Sequence, residues 1–156
     1  MTNNDILRRI RYIFDFSDSR MIAIFAAADS KVSREQVSHW LKKEGDPEFQ
    51  ECNDRQLAIF LNGLINDRRG RKEGVQPEPE DKLNNNIILR KLKIALDLQA
   101  DDILDLLAMS GMRISKHELS ALFRRSDHKH YRECNDQMLR NFLKGAQLKY
   151  RPGDEE

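Results

Sequence analysis

The sequence predicts an all-α protein built as a tandem duplication of a four-helix unit. Three observations predict it. The segment ECNDRQLAIFLNGL at 51–64 returns as ECNDQMLRNFLKGA at 133–146. At the same offset, and with no gap, NNDILRRIR at 3–11 aligns with NNIILRKLK at 85–93. Apolar residues recur at helical spacing in both copies, and no stretch shows the period-two alternation of a half-buried strand. The chain has 156 residues, of which 39% are apolar, enough for a core but only for one ordinary domain or two very small ones. Units of about 65 residues are marginal alone, so the two are expected to pack on each other with approximate twofold symmetry.

Each copy is expected to supply four helices. In the first, Ile6, Leu7, Ile10, Ile13 and Phe14 form one stripe, matched by Ile88, Leu89, Leu92, Ala95 and Leu96. Asp18 or Ser19, and Asp101 in the second copy, are expected to cap the second helix. Met21–Ala28 is apolar all round and predicts a buried central helix, and Gly111 suits the left-handed stop after its counterpart. Ser33 with Gln36, and Ser115 with Glu118, read as capping boxes opening the third helix, each inside a staple of Val32 and Val37 or Ile114 and Leu119. The fourth begins at Asn53/Asp54 and at Asn135/Asp136, with stripes Leu57, Phe60, Leu61, Leu64 and Leu139, Phe142, Leu143, Ala146. The resulting boundaries are repeat 1 at 1–69, a proline-containing acidic linker at 70–83, repeat 2 at 84–150 and a short acidic tail at 151–156.

The longest apolar run, Met21–Ala28, is far short of the roughly 20 residues that span a bilayer. The N-terminus has no apolar signal region. Two cysteines make no disulfide framework, so a cytoplasmic location is the default expectation. Lys+Arg 27 against Asp+Glu 26 leaves no strong net field.

The duplicated E-C-N-D-x-x-L-x-x-F-L-x-G segment and the I-L-R-[RK]-[IL]-[RK] helix start resemble the YehS family, short bacterial proteins carrying two copies of a domain of unknown function. The resemblance covers nearly the whole chain. It implies a bacterial protein and brings no activity, cofactor or functional residue with it.

Cys52 and Cys134 are equivalent, each just before a helix cap, and read as buried structural thiols. His128, His130 and Cys134 have a spacing that three zinc ligands can use. Copy one carries Asp46 and Glu48 at the histidine positions, no fourth ligand is evident, and no metal is assigned. No nucleophile–base pairing or phosphate-loop motif is present. No cofactor is implied, and no catalytic residue is assigned.

Basic clusters are the most informative polar feature. Arg8, Arg9 and Arg11 recur as Arg90, Lys91 and Lys93. The third helices end in Lys42, Lys43 and in Arg124, Arg125. Residues 84–151 hold thirteen basic and eight acidic residues, whereas the first copy is near neutral. Helices two and three of each copy have partial helix-turn-helix spacing, which would direct Arg34, His39, Lys116 and His117 toward a groove. Tyr12 and Ile94 are equivalent, lie off the apolar stripe and are expected at a contact between the repeats.

These readings favour a non-enzymatic binding or scaffolding module that acts through a composite surface formed by the two repeats, with a protein partner and no membrane. The alternative is nucleic-acid binding through Arg8, Arg11, Arg34, Lys42, Lys43, Arg90, Lys93, Lys116, Arg124 and Arg125. A third reading is a ligand binder or enzyme with its site between the repeats.

Overall fold

The computed structural model describes residues 1–153, which hold eight α-helices and no strand. They are α1 Asn3–Phe14, α2 Asp18–Ala27, α3 Arg34–Leu41, α4 Asp54–Arg69, α5 Asn85–Ala95, α6 Ala100–Met109, α7 Lys116–Ala121 and α8 Asp136–Tyr150. The chain divides into two compact units, the first Met1–Leu83 and the second beginning at Asn84. Each contains one set of four helices.

In the first unit α2 packs on α3 and α4, and α1 packs on the same two helices. Ile6, Leu7 and Ile10 are fully buried from α1, as are Leu57, Phe60, Leu61 and Leu64 from α4. Phe25 stands at the centre, its ring centroid 5.4 Å from Trp40 and 5.2 Å from Phe60. Such tilted aromatic pairs add about 0.5–1.5 kcal/mol beyond the area they bury. In the second unit α6 packs on α7 and α8. Leu107, Leu122 and Phe142 stand at the equivalent positions and are all buried. One aromatic ring replaces three there, without change in the order of elements.

The conserved spacing E-C-N-D-x-x-L-x-x-F-L-x-G within this chain ends on a glycine for a steric reason. A Cβ on Gly63 would overlap the carbonyl of Ile24, and one on Gly145 would overlap that of Leu106. These glycines let α4 and α8 press directly onto the backbones of α2 and α6.

Helix starts differ from the sequence expectation at the second helix. Its caps are Ser17 and Gln99, not Asp18, Ser19 or Asp101. Ser17 accepts from the N–H of Arg20 at 3.1 Å. The cause lies upstream. Asp15 and Asp97 adopt left-handed backbone, with φ of 53° and 54°, which ends the first helix sharply. Ser17 and Gln99 are then extended, and the next helix starts from them. The third helix of the first unit has only half a capping box. Ser33 accepts from the N–H of Gln36 at 3.0 Å, with no return bond from the Gln36 side chain. Ser115 and Glu118 make both bonds. The Met21–Ala28 segment is buried on one side only: Met21, Ile24 and Phe25 face inward, while Ala23 and Ala26 are exposed. Alanine is apolar enough to look like core in a sequence and small enough to stand in water.

Residues 70–83 contain no helix, and side-chain bonds hold them against α4. Arg55 donates to the carbonyl of Pro79 at 3.1 Å and pairs with Glu78 and Asp81. Arg71 makes a two-pronged pair with Asp29, both bonds 2.8 Å. The acidic tail expected at 151–156 falls outside the described residues from 154 onward.

Candidate functional site

The recurring polar residues sort into two groups, one structural and one exposed. The structural group centres on two asparagines that sequence reading missed. Asn4 is 1% exposed and Asn86 3%. The Asn4 amide donates to the carbonyls of Trp40 and Gln50, both at 2.9 Å, and its oxygen accepts from the Cys52 N–H at 3.0 Å. Asn86 does the same with Leu122, Arg132 and Cys134, at 2.9 Å each. Three of the four hydrogen bonds available to a primary amide are thus made to backbone that has no helical partner. Asn3 and Asn85 reinforce the joint. Asn3 donates to the Cys52 carbonyl and to Asp54, and Asn85 to the Cys134 carbonyl and to Asp136. Asp54 also accepts from the Leu83 N–H at 2.8 Å. The Asn85 bond holds the Asp136 carboxyl below its usual range.

This latch accounts for the paired N-N and E-C-N-D motifs. Asn53 and Asn135 cap α4 and α8 through bonds to the N–H groups of Gln56 and Met138. Cys52 and Cys134 are buried beside them, and burial pushes their thiols up to about 12 and about 11. His128 and His130 are exposed, whereas Cys134 is buried. Among the described residues no group of three His, Cys, Asp or Glu side chains is placed to hold a metal ion.

The exposed group is the basic face. On α5, Asn86, Arg90 and Lys93 follow at i, i+4 and i+7 and share one side of the helix. Asn86 reaches the Leu122 carbonyl, and the Lys93 ammonium lies 5.5 Å from the centre of the Phe123 ring. Arg90 sits between them on the side of α5 turned to the end of α7. There Arg124 donates to the His130 carbonyl at 3.0 Å, and Arg125 extends outward with its side chain 87% exposed. Lys129, His128 and His130 follow on the surface.

The first unit carries the same cations with carboxylates between them. Arg8 pairs with Asp5 and donates to the Lys42 carbonyl at 2.9 Å. Arg11 lies 3.7 Å from Asp18, and Lys42 lies 3.9 Å from Glu48. The Asp5 carboxyl is held low although its partial burial opposes this, because bonds from Thr2 and the charge of Arg8 outweigh burial. In the second unit the positions of Asp5, Asp18, Glu44, Asp46 and Glu48 are taken by Ile87, Ala100, Ser126, His128 and His130. Five carboxylates disappear while all four cations remain. Carboxylates are gained elsewhere, at Asp101, Asp102, Asp105, Glu118 and Asp127, where the first unit has Ser19, Arg20, Ala23, Gln36 and Gly45; of these Asp127 pairs with Arg125 at 3.1 Å, and Lys129 is a gained cation.

The remaining candidates lie elsewhere. Arg34 bonds Ser19 and is 3.5 Å from Asp18, and Lys116 is 3.5 Å from Asp101. Both are held against the start of the preceding helix. Lys43 is exposed. Tyr12 and Ile94 are 39% and 45% exposed. A cavity of about 220 Å³ opens in the first unit beneath residues 76–79, with Asp29, Asn62 and Asn66 on its walls. Asn66 there donates to the Ala27 carbonyl at 2.9 Å, and Asp29 is held by Arg71. No described helix is long and apolar enough to cross a membrane.

Comparison with known proteins places this architecture. No solved structure matches the chain. The uncharacterized protein YehS of Escherichia coli (strain K12) is 46% identical over 146 residues, covering 93% of this chain and 94% of that protein. The sequence model of a family described as protein of unknown function, DUF1456, matches residues 3–70 and again residues 85–152. Those two matches coincide with the two sets of four helices, and the chain belongs to the DUF1456 family, with two copies of its domain.

Proposed function

We propose that this chain is a binding module that holds an anionic partner on the basic face of its second unit, with the first unit as a structural companion. One observation carries the reading. The same four cations stand in both units, but Asp5, Asp18 and Glu48, which pair with three of them in the first, are Ile87, Ala100 and His130 in the second, where Asp127 pairs with Arg125. Exposed ion pairs stabilise little, about 0–1 kcal/mol each. They do cancel the local field within a Debye length of about 8 Å at physiological salt. Their loss from the second unit adds almost nothing to folding and leaves a positive surface that water and counterions cover in the free protein. A binding role is consistent with the fate of the groups that would serve catalysis. Both thiols are buried and protonated, and Asp54 and Asp136 are engaged in the latch.

Calorimetric titration of the full chain with inorganic polyphosphate tests this. The expected result is binding that weakens with salt and is lost in the double variant Arg90→Glu, Arg125→Glu. Lys42→Glu, Lys43→Glu in the first unit should leave it nearly unchanged. Equal losses from both pairs would refute the assignment to the second unit.

A further inference from the structure

We propose that the anionic partner is single-stranded nucleic acid, its phosphates held by Arg90, Lys93, Arg124 and Arg125 and its bases stacked on the His128 and His130 rings. The inference rests on the anion-binding reading of this face and adds the chemistry beside the cations. His128 and His130 replace Asp46 and Glu48 of the first unit, so two negative charges have become two flat rings. Both rings are exposed, with centroids 5.7 Å apart and planes tilted by 45°. They do not stack on each other, and each keeps a face for another ring. The stretch that carries them is fixed. The His130 N–H bonds to His128 Nδ1 at 3.0 Å, and the His130 carbonyl accepts from Arg124 at 3.0 Å. The guanidinium that would meet a phosphate therefore also positions the ring that would meet a base.

Aromatic faces interleaved with cations match the chemistry of an unpaired strand, whose bases are free to stack. An acidic protein segment would use the cations and leave the rings idle. A duplex fits the surface poorly. The helix that would have to enter a groove, α7, has six residues and spans about 9 Å. Glu118 on it and Asp101 beside Lys116 are carboxylates that would face the phosphates.

Fluorescence anisotropy on the full chain tests the assignment. The probes are a labelled single-stranded oligothymidylate and oligouridylate of about a dozen residues, a duplex of the same length and a polyglutamate peptide. Single strands should bind tightest. Four phosphate contacts predict a slope near −3 for log affinity against log salt. That is about a fifty-fold loss between roughly 50 and 200 mM salt. The double variant Arg90→Glu, Arg125→Glu should abolish binding with an unchanged circular-dichroism melt. His128→Ala with His130→Ala should weaken single-strand binding by about thirtyfold or more and leave the salt slope as it was. Equal affinity for polyglutamate or duplex, or no effect of the histidine variant, overturns the single-strand assignment and leaves the anion-binding face standing. Failure of every probe at low salt, or equal sensitivity to Lys42→Glu, Lys43→Glu, overturns both.

Discussion

Replacing Asn4 by alanine removes three hydrogen bonds with one substitution. The Trp40 and Gln50 carbonyls lose their donor, and the Cys52 N–H loses its acceptor. The Trp40 carbonyl and Cys52 N–H bonds are fully buried, while the Gln50 bond is partly buried. A buried polar group left without a partner costs about 1–3 kcal/mol. Two such groups and one partly hydrated group give a loss of about 3–5 kcal/mol, large against the roughly 5–15 kcal/mol that holds a domain folded. Trp40 is the sole tryptophan and 2% exposed, so its fluorescence follows the first unit alone. With a urea m-value of about 1–1.5 kcal/mol/M for a unit this size, the midpoint should fall by about 2–5 M. Asn86→Ala should act equally on the second unit, read by far-ultraviolet circular dichroism, and leave the tryptophan transition in place. Asn4→Asp is the diagnostic companion. It keeps the volume and the acceptor for Cys52 but sets a carboxylate against two carbonyls, and it should destabilise at least as strongly as alanine. A loss below about 1 kcal/mol in Asn4→Ala would refute the latch as the joint that closes each unit.

Two further outcomes follow from the packing and the thiols. Gly63→Ala and Gly145→Ala should each destabilise by about 1–3 kcal/mol in denaturant melts, although alanine favours an isolated helix by about 1 kcal/mol; any stabilisation would contradict the direct contact of α4 with the Ile24 carbonyl and of α8 with that of Leu106. Cys52 and Cys134 should resist a thiol-specific reagent at pH 8 until the chain unfolds. Their folded values, about 12 and about 11, lie above the ordinary 9.0 because of burial. The folded state therefore holds the protons longer: stability from these groups is complete below pH 9 and is lost as the pH rises toward 11 and 12. Rapid labelling of the native protein at pH 8 would contradict their burial.

The helices were legible because each stripe is written twice. Ile6, Leu7 and Ile10 with Ile88, Leu89 and Leu92 leave no other periodicity. What escaped depends on contacts between segments far apart in the chain. An asparagine at a helix start reads as a cap, and Asn4 is a core residue only because Gln50 and Cys52 return to it. Asp15 and Asp97 do a job usually given to glycine, so the turn before α2 and α6 was not evident and their starts were displaced. Residues 70–83 have the composition of a loose tether, and only the geometry of Arg55 and Arg71 reveals what they touch. The basic face was half legible. Its cations were plain, but net charge averages over a surface. The decisive contrast was carried by five acidic positions compared across the copies.

The latch also sets an order of events during synthesis. The acceptors and the donor that satisfy Asn4 lie 36 to 48 residues downstream of it. The first helix therefore leaves the ribosome with its central amide unanswered and stays unlocked until the ECND segment follows. The second copy repeats that wait with its own partners, Leu122, Arg132 and Cys134. The partners of Asn4 are all in place before Leu122, Arg132 and Cys134 have been made. The growing chain never has to choose between two near-identical partners for Asn4, which is the hazard a tandem duplication otherwise carries.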